Sequence, residues 1–189
     1  MKLAIADRIS EEDYLVGERI SAVKHEYVAG EVFAMAGASK MHVTIAGNIF
    51  SALRVHFRGK PCRAYMSDMK VRVKTSSAYY YPDVSVTCSP RDLAVDAPAY
   101  YIEAPSLIAE VLSDSTERID RREKLLAYQQ LESLDDYLLI DQDKRELEHY
   151  RRVAEGWQRD ILGRGDTLVV PGLKLELTID QIYEDSGIA

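Results

Sequence analysis

The pattern of apolar and polar positions divides the first third of the chain into a short helix, a hairpin and a longer helix. Ser10 and the three acidic residues that follow it have the form of a capping box, which predicts a helix. Two short apolar stretches around a central Ala-Gly pair predict a β-hairpin over 25–35. Ser39 is a good N-cap, and helical spacing of apolar positions predicts a helix that runs to about Phe57. The buried face of this helix is predicted to comprise Ile45, Ile49, Ala52 and Leu53.

The middle of the chain alternates strands with one helix. Alternating valines and basic residues predict a strand over 63–74 with one face in water. A further strand is predicted over 81–87, and the stretch 106–112, apolar on both faces, is predicted to be an inner strand. A dense cluster of N-cap residues predicts a helix over 117–131, and 136–141 reads as another buried strand.

The last part of the chain is predicted to be rich in hairpins. Strands are expected over 146–152, 157–162 and 168–177, with a short final helix over 178–184. The central order of helix, strand, strand, strand, helix, strand favours an α/β fold, a small mixed sheet with helices on both faces. The hairpins would extend this sheet or form dimer contacts.

Composition narrows the class of protein. The 189 residues include 31 acidic and 24 basic side chains, giving a net charge of −7, and 47% are hydrophobic. No apolar stretch approaches the ~18 residues of a membrane span, and the apolar N-terminal stretch is too brief for a signal peptide, so a cytoplasmic protein is expected. Cys62 and Cys88 lie far apart in the sequence, which favours reduced thiols and argues against a disulfide. The acidic balance argues against nucleic-acid binding by bulk charge alone, but not against an enzyme with local basic groups.

Two carboxylates fall where burial disfavours a charge. Glu110 interrupts an apolar strand, and Asp83 follows Pro82 at the start of another. An ionised carboxylate there is costly unless it is paired, protonated or bound to a metal. Acids on two neighbouring strands can bind one hard cation, and the carbonyl of Val111 would add a ligand. The alternative is a buried pair that a basic side chain neutralises.

Lys124 is predicted to face the sheet from the following helix. Its inward stripe comprises Lys124, Tyr128 and Leu131, and Asp120 lies one turn earlier on the same face. With two buried acids nearby, the lysine is a candidate to orient or deprotonate a water molecule. A structural salt bridge to Asp120 is the alternative.

At these residues the chain resembles a known group of proteins. Pro82-Asp83 followed by Glu110 resembles the PD-(D/E)xK nuclease signature, and the whole chain resembles the Uma-two family of restriction-endonuclease-like proteins. The blocks that carry this resemblance, in chain order, are 25–31 (HEYVAGE), His42, 81–84 (YPDV), 110–116 (EVLSDST), 120–128 (DRREKLLAY) and 136–141 (DYLLID).

The resemblance implies a single PD-(D/E)xK nuclease-like domain over 1–189. Its restriction-endonuclease-like core would be a mixed β-sheet flanked by helices (αβββαβ), with extra N-terminal and C-terminal β-hairpins. The general signature has a lysine two places after the acid, where this chain has Leu112. In the resembled family the lysine lies on the following helix, where Lys124 matches, and Glu26 falls on the family's hairpin acid. A solvated hairpin residue is the alternative for Glu26.

The leading hypothesis is therefore a divalent-metal-dependent endonuclease that acts on DNA. Asp83, Glu110 and the Val111 carbonyl would hold Mg²⁺ or Mn²⁺, and Lys124 and Glu26 would complete the catalytic group. Weaker candidates for contacts with the substrate are His42, Arg118, Arg121 and Lys70, although an exposed basic helix face would explain the arginines as well. The alternative function is a catalytically inactive homodimeric binding or scaffold protein. The sequence contains no P-loop, Gly-rich dinucleotide motif, nucleophile elbow or His/Cys metal cluster.

Overall fold

The computed structural model describes residues 8–113, 117 and 119–188, which form two β-sheets, a separate hairpin and short helices. The helices are α1 (Glu11–Glu18), α2 (Lys40–His56), α3 (Pro90–Leu93), α4 (Leu125–Tyr128) and α5 (Ile179–Ile182). The first seven strands are β1 (His25–Val28), β2 (Glu31–Ala34), β3 (Arg63–Met66), β4 (Lys70–Val73), β5 (Ala78–Tyr80), β6 (Val84–Thr87) and β7 (Tyr101–Ile102). The remaining strands are β8 (Pro105–Leu112), β9 (Asp136–Asp141), β10 (Glu146–Val153), β11 (Gly156–Gly163), β12 (Thr167–Val170) and β13 (Leu175–Thr178).

A six-stranded mixed sheet forms the centre of the molecule, in the order β11-β10-β9-β8-β6-β3. The strands β8 and β9 run parallel, and each of the other neighbouring pairs is antiparallel. The prediction of an inner strand is confirmed, because β8 lies between two strands and is buried on both faces.

One face of this sheet is covered by α2, the β12–β13 hairpin and α5. The side chain of Ser39 accepts a hydrogen bond from the backbone of His42, which confirms the predicted start of α2. Ile45, Ile49 and Leu53 are buried as predicted, whereas Ala52 is half-buried and Ala46 is buried in its place. The C-terminal hairpin was predicted to extend the sheet or to form dimer contacts, but it forms a separate two-stranded sheet whose apolar side chains complete this core.

The opposite face packs against α4 and a five-stranded sheet in the order β2-β1-β5-β4-β7. The single strand predicted over 63–74 is therefore wrong. The chain turns near Ser67, whose φ of 47° lies in the left-handed region, so that β3 and β4 belong to different sheets. Lys70 is 4% exposed instead of lying on a wet face, because β4 lies inside the smaller sheet.

The strand predicted over 81–87 is shorter than predicted, because its first three residues connect the two sheets. β5 ends at Tyr80 in the five-stranded sheet, and β6 begins at Val84 in the six-stranded one. The chain passes from one sheet to the other through Tyr81, Pro82 and Asp83. Proline suits this crossing because it cannot donate a hydrogen bond to a β-ladder.

The prediction of one continuous α-helix over 117–131 is wrong. A π-helical turn spans Ile119–Lys124 and leads directly into α4. Residues 114–116 and Arg118, within and beside the predicted N-cap cluster, lie outside the described residues. Single π-turns occur frequently at functional sites, because the wider turn changes which side chains face inward.

The prediction of reduced cysteines is also wrong, because Cys62 and Cys88 form a disulfide bond with their Cα atoms 4.1 Å apart. The antiparallel register of β3 and β6 pairs Arg63 with Thr87. The same register places Cys62, just before Arg63, opposite Cys88, just after Thr87. The two cysteines are 26 residues apart in the sequence, and this separation gives no sign that they lie close together in the fold.

Within the described part of the chain, no helix is both long enough and apolar enough to cross a bilayer.

Candidate active site

Asp83 and Glu110 meet where the chain crosses between the sheets. Because β6 pairs with β8, the residue before β6 lies beside the middle of β8, and the prediction that their strands are neighbours is confirmed. The Oδ2 of Asp83 accepts a hydrogen bond from the backbone N–H of Val111 at 2.7 Å. In return, the backbone N–H of Asp83 donates to Oε2 of Glu110 at 3.3 Å. Each acid is therefore fixed by the backbone of the other segment.

Glu110 is almost completely buried, with 3% of its surface exposed. It lies on the face of the central sheet that packs against α4, between the apolar side chains of Ile108 and Leu112. Its Oε1 receives two further contacts, from the Nζ of Lys124 at 3.2 Å and from the hydroxyl of Tyr128 at 3.2 Å. These polar contacts stabilise a carboxyl group in an otherwise apolar layer.

Lys124 ends the π-helical turn with its ammonium group directed into the cluster. The Nζ lies 3.0 Å from Oε1 of Glu26 and 3.1 Å from Oδ1 of Asp120, in addition to its contact with Glu110. The residue is 4% exposed, so the predicted inward orientation is confirmed. The salt bridge to Asp120, the structural alternative, is present as well. The role of Lys124 in orienting a water molecule stays a prediction.

Glu26 connects the N-terminal hairpin to this cluster. Its Oε1 accepts a hydrogen bond from the backbone N–H of Tyr81 at 3.1 Å while it pairs with Lys124. Its side chain is 14% exposed, so the alternative of a solvated hairpin residue is wrong. Glu26 thus links Lys124 to the segment that carries Asp83.

The cluster has more negative than positive charge. The carboxylates of Glu26, Glu110 and Asp120 surround the ammonium group of Lys124, and Asp83 adjoins Glu110. With all four acids ionised, the cluster would have an excess of three negative charges over Lys124. Burial raises the pKa of Glu110 well above its usual range, and the neighbouring Asp120 and Asp83 raise it further, although Lys124 opposes them. Burial disfavours the charge of Lys124, but the carboxylates outweigh it and hold the pKa of that lysine well above its usual range. The lysine therefore stays charged, and the site attracts a cation or a proton.

His42 lies in the first turn of α2, and its Nε2 is 2.8 Å from Oδ1 of Asp83. The other ring nitrogen, Nδ1, is buried and has no hydrogen-bond partner among the described residues. The sequence identified His42 only as a weak candidate for substrate contact. The structure brings it into direct contact with an acid of the cluster.

The described basic residues that were predicted to contact the substrate already have other partners in the structure. The Nζ of Lys70 is buried and donates to the hydroxyl of Tyr81 at 3.1 Å. The guanidinium of Arg121 forms ion pairs with Glu117 and Glu148. Arg118 lies outside the described residues. Neither of the two described side chains is free to bind a phosphate group.

Tyr128 is a member of the cluster that sequence reasoning assigned only to packing. Its hydroxyl donates to Glu110, and burial raises its pKa well above the usual range, so it remains a hydrogen-bond donor. The spacing of four residues between Lys124 and Tyr128 carried the signal, since it places both side chains on one helical face.

The donor set fits a hard divalent cation. Among the described residues, no three His, Cys, Asp or Glu side chains converge in a geometry that would hold a metal ion. A cation here would have two side-chain carboxylates and would take its other ligands from water, the substrate and a backbone carbonyl. Mg²⁺ is commonly bound in this way, because it keeps several waters and uses one or two carboxylates.

Comparison with known proteins identifies the same family as the sequence motifs. Residues 12–181 match the sequence profile of the Uma2 family, described as "putative restriction endonuclease". The chain belongs to the Uma2 family. Two relatives from Synechocystis sp. carry no stated activity: the uncharacterized protein slr1290 is 36% identical over 177 residues, covering 93% of this chain and 92% of that protein. The uncharacterized protein sll1609 is 33% identical over 155 residues, covering 82% and 87%.

The fold of this Uma2 protein is restriction-endonuclease-like. It is similar to the crystal structure of "a putative nuclease belonging to DUF820" from Anabaena variabilis, with a TM-score of 0.76 and 18% identity over 93% of this chain and 97% of that one. At this identity the likeness establishes the fold alone, and the predicted fold class is confirmed. In this Uma2 chain the signature position Leu112 is buried in the core, and the Nζ of Lys124 reaches Glu110 from the next helix.

Proposed function

We propose that this Uma2 protein is a divalent-metal-dependent endonuclease that hydrolyses phosphodiester bonds in DNA. The observation that carries the proposal is the pair Asp83 and Glu110, each hydrogen-bonded to the backbone of the other segment, with the buried ammonium group of Lys124 against Glu110. A stable fold has no need for a cluster of four carboxylates and one buried lysine, since burying unbalanced charge is costly.

In this proposal the two acids and a backbone carbonyl hold the cation. Asp83 and Glu110 would be the carboxylate ligands. The N–H of Val111 points at Asp83, and because the N–H and C=O groups of one strand residue face the same neighbour, the Val111 carbonyl faces that side too. When bound, Mg²⁺ or Mn²⁺ supplies Lewis acidity at the scissile phosphate and lowers the pKa of a water molecule.

The other residues of the cluster orient these groups and balance their charge. Lys124 would orient the attacking water and stabilise negative charge that develops at the phosphorus centre. Glu26 holds Lys124 against the acids and fixes the backbone at Tyr81. Tyr128 donates to Glu110 and so fixes the rotamer of that carboxylate. His42, in contact with Asp83, orients that acid and is the cluster's contact toward α2.

Cleavage of supercoiled plasmid DNA tests the proposal, with Mg²⁺ or Mn²⁺ added and with EDTA as the metal-free control. We expect metal-dependent nicking by the wild-type protein and a loss of on the order of 10²-fold or more in Asp83→Asn and in Glu110→Gln. Glu132→Gln is a matched control, because it removes an exposed carboxylate outside the cluster.

Two results would contradict the assignment. Nicking that persists in a folded Asp83→Asn/Glu110→Gln double variant would remove the acid pair from the mechanism. Absence of nicking on single-stranded, double-stranded and supercoiled DNA, with no metal bound in isothermal titration calorimetry, would favour the inactive homodimeric scaffold. The homodimer is itself a prediction, and light scattering of the purified chain measures it.

A further inference from the structure

We infer that the end of α2 and the loop that follows it form a second contact surface for the sugar–phosphate backbone of the nucleic acid, remote from the acid cluster. This surface, called here the basic patch, consists of Arg54, Arg58, Lys60 and Arg63. The inference rests on the proposed function, since it extends the binding site of that nuclease. An acidic protein with a carboxylate-rich centre needs local positive charge to bind a polyanion.

The basic patch is exposed and its charge is not neutralised. All four side chains are exposed, and no described carboxylate forms an ion pair with any of them. The patch is thus a local concentration of positive charge in a chain whose net charge is −7. Its charge is therefore available to a ligand.

The patch surrounds a cleft of about 460 Å³, lined by the four basic residues with Phe57 and Gly59. Phe57 is buried in the core and forms a fixed floor. One guanidinium nitrogen of Arg63 donates to the backbone carbonyls of Lys60 and Cys62, at 2.9 Å each. These two contacts fix the guanidinium of Arg63 against the backbone of the loop before any ligand arrives, which reduces the entropic cost of binding at that residue.

A second cleft on the molecule has basic residues but a different electrostatic character. Its cations Arg72 and Lys74 are paired with Glu103, and Arg72 is paired with Glu11 as well. Those pairs account for two of its three basic side chains without a ligand, and the third, Arg91, is exposed. The basic patch has no such explanation within the described structure. The dipole at the C-terminus of α2 favours cations but accounts for one or two of them at most.

The position of the patch relative to the acid cluster suits an extended polymer. His42 contacts Asp83 at the start of α2, and Arg54 lies twelve residues later, about 18 Å along the helix axis. That distance corresponds to roughly five base pairs of DNA. A ligand that contacts both places must therefore be an extended one, which a DNA duplex is and a small phosphorylated molecule is not.

The test is the salt dependence of binding, measured by fluorescence anisotropy with a labelled duplex of about 20 base pairs, in EDTA so that no cleavage occurs. We expect Arg54→Gln/Arg58→Gln to reduce the slope of log affinity against log salt concentration by about two, and the fourfold patch variant by about four. The matched control is Arg19→Gln/Arg91→Gln, which removes two exposed cations elsewhere that also form no ion pair with the described residues. Its slope should stay within about half a unit of wild type.

An unchanged slope in the patch variants overturns the inference, and so does an equal decrease in the control. Because all four side chains are exposed, the variants should fold, and the melting temperature checks this. The outcome is independent of the nuclease assignment. Salt-dependent binding through the patch without any metal-dependent nicking would refute the proposed activity alone, and nicking with unchanged slopes would refute the patch alone.

Discussion

Replacing Lys124 with methionine removes the ammonium group from the carboxylate cluster and keeps most of the side-chain volume. The structure places that group within 3.2 Å of Glu26, Glu110 and Asp120, with 4% of the residue exposed. Removing one partner of a buried ion pair typically costs about 3–5 kcal/mol, because the remaining charges stay buried and unpaired. For a chain of this size, that corresponds to a decrease in melting temperature of roughly 6–20 °C.

Circular dichroism during thermal unfolding at neutral pH, in EDTA, measures this decrease. Adding Glu110→Gln to the Lys124→Met variant should restore part of the lost stability, because it removes one of the carboxylates that the lysine balanced. Mg²⁺ should do the same by supplying the missing positive charge. A Lys124→Met protein that melts within about 2 °C of wild type would refute the reasoning. Activity must then be compared below the melting temperature of the variant, so that lost catalysis is separated from lost folding.

Three further predictions follow from the same structure. In wild-type protein, about 10 mM Mg²⁺ should raise the melting temperature by roughly 3–6 °C if its Kd is near 1 mM, and Asp83→Asn/Glu110→Gln should abolish this shift in differential scanning fluorimetry. Burial raises the pKa of Glu110, so the folded protein favours its protonated form. The contribution of Glu110 to metal-free stability is therefore fully present below the ordinary carboxyl pKa and is lost as pH rises through the raised pKa. In a pH series of melting curves, Glu110→Gln should flatten that decline. Reduction of the disulfide between Cys62 and Cys88 should cost up to about 3–4 kcal/mol for a loop of this length, and a melting curve of the Cys62→Ser/Cys88→Ser variant should then be insensitive to reductant.

The sequence by itself determined some of the elements and identified the charged residues of the site. Ser39 as an N-cap fixed the start of α2, and the unbroken apolar stretch around Glu110 identified an inner strand, since both signals depend on neighbouring residues alone. The same local reasoning marked Asp83, Glu110 and Lys124 as charges in unfavourable places. That these three residues lie close together was inferred from the order of the elements, because this order leaves few ways to pair the short strands.

Other features depended on contacts between residues far apart in the sequence. The alternation over 63–74 is the same whether it forms one strand or two, and only the packing of two sheets decided that the chain turns near Ser67 and buries Lys70. The pairing of Cys62 with Cys88 followed from the register of β3 and β6, which local patterns do not encode. Ion pairs on separate elements likewise removed Arg121 from the candidates for phosphate binding. Local sequence patterns show which charged side chains a segment contains. The free energy of each charge depends on its burial and on its ion-pair partners, and only the folded structure determines these.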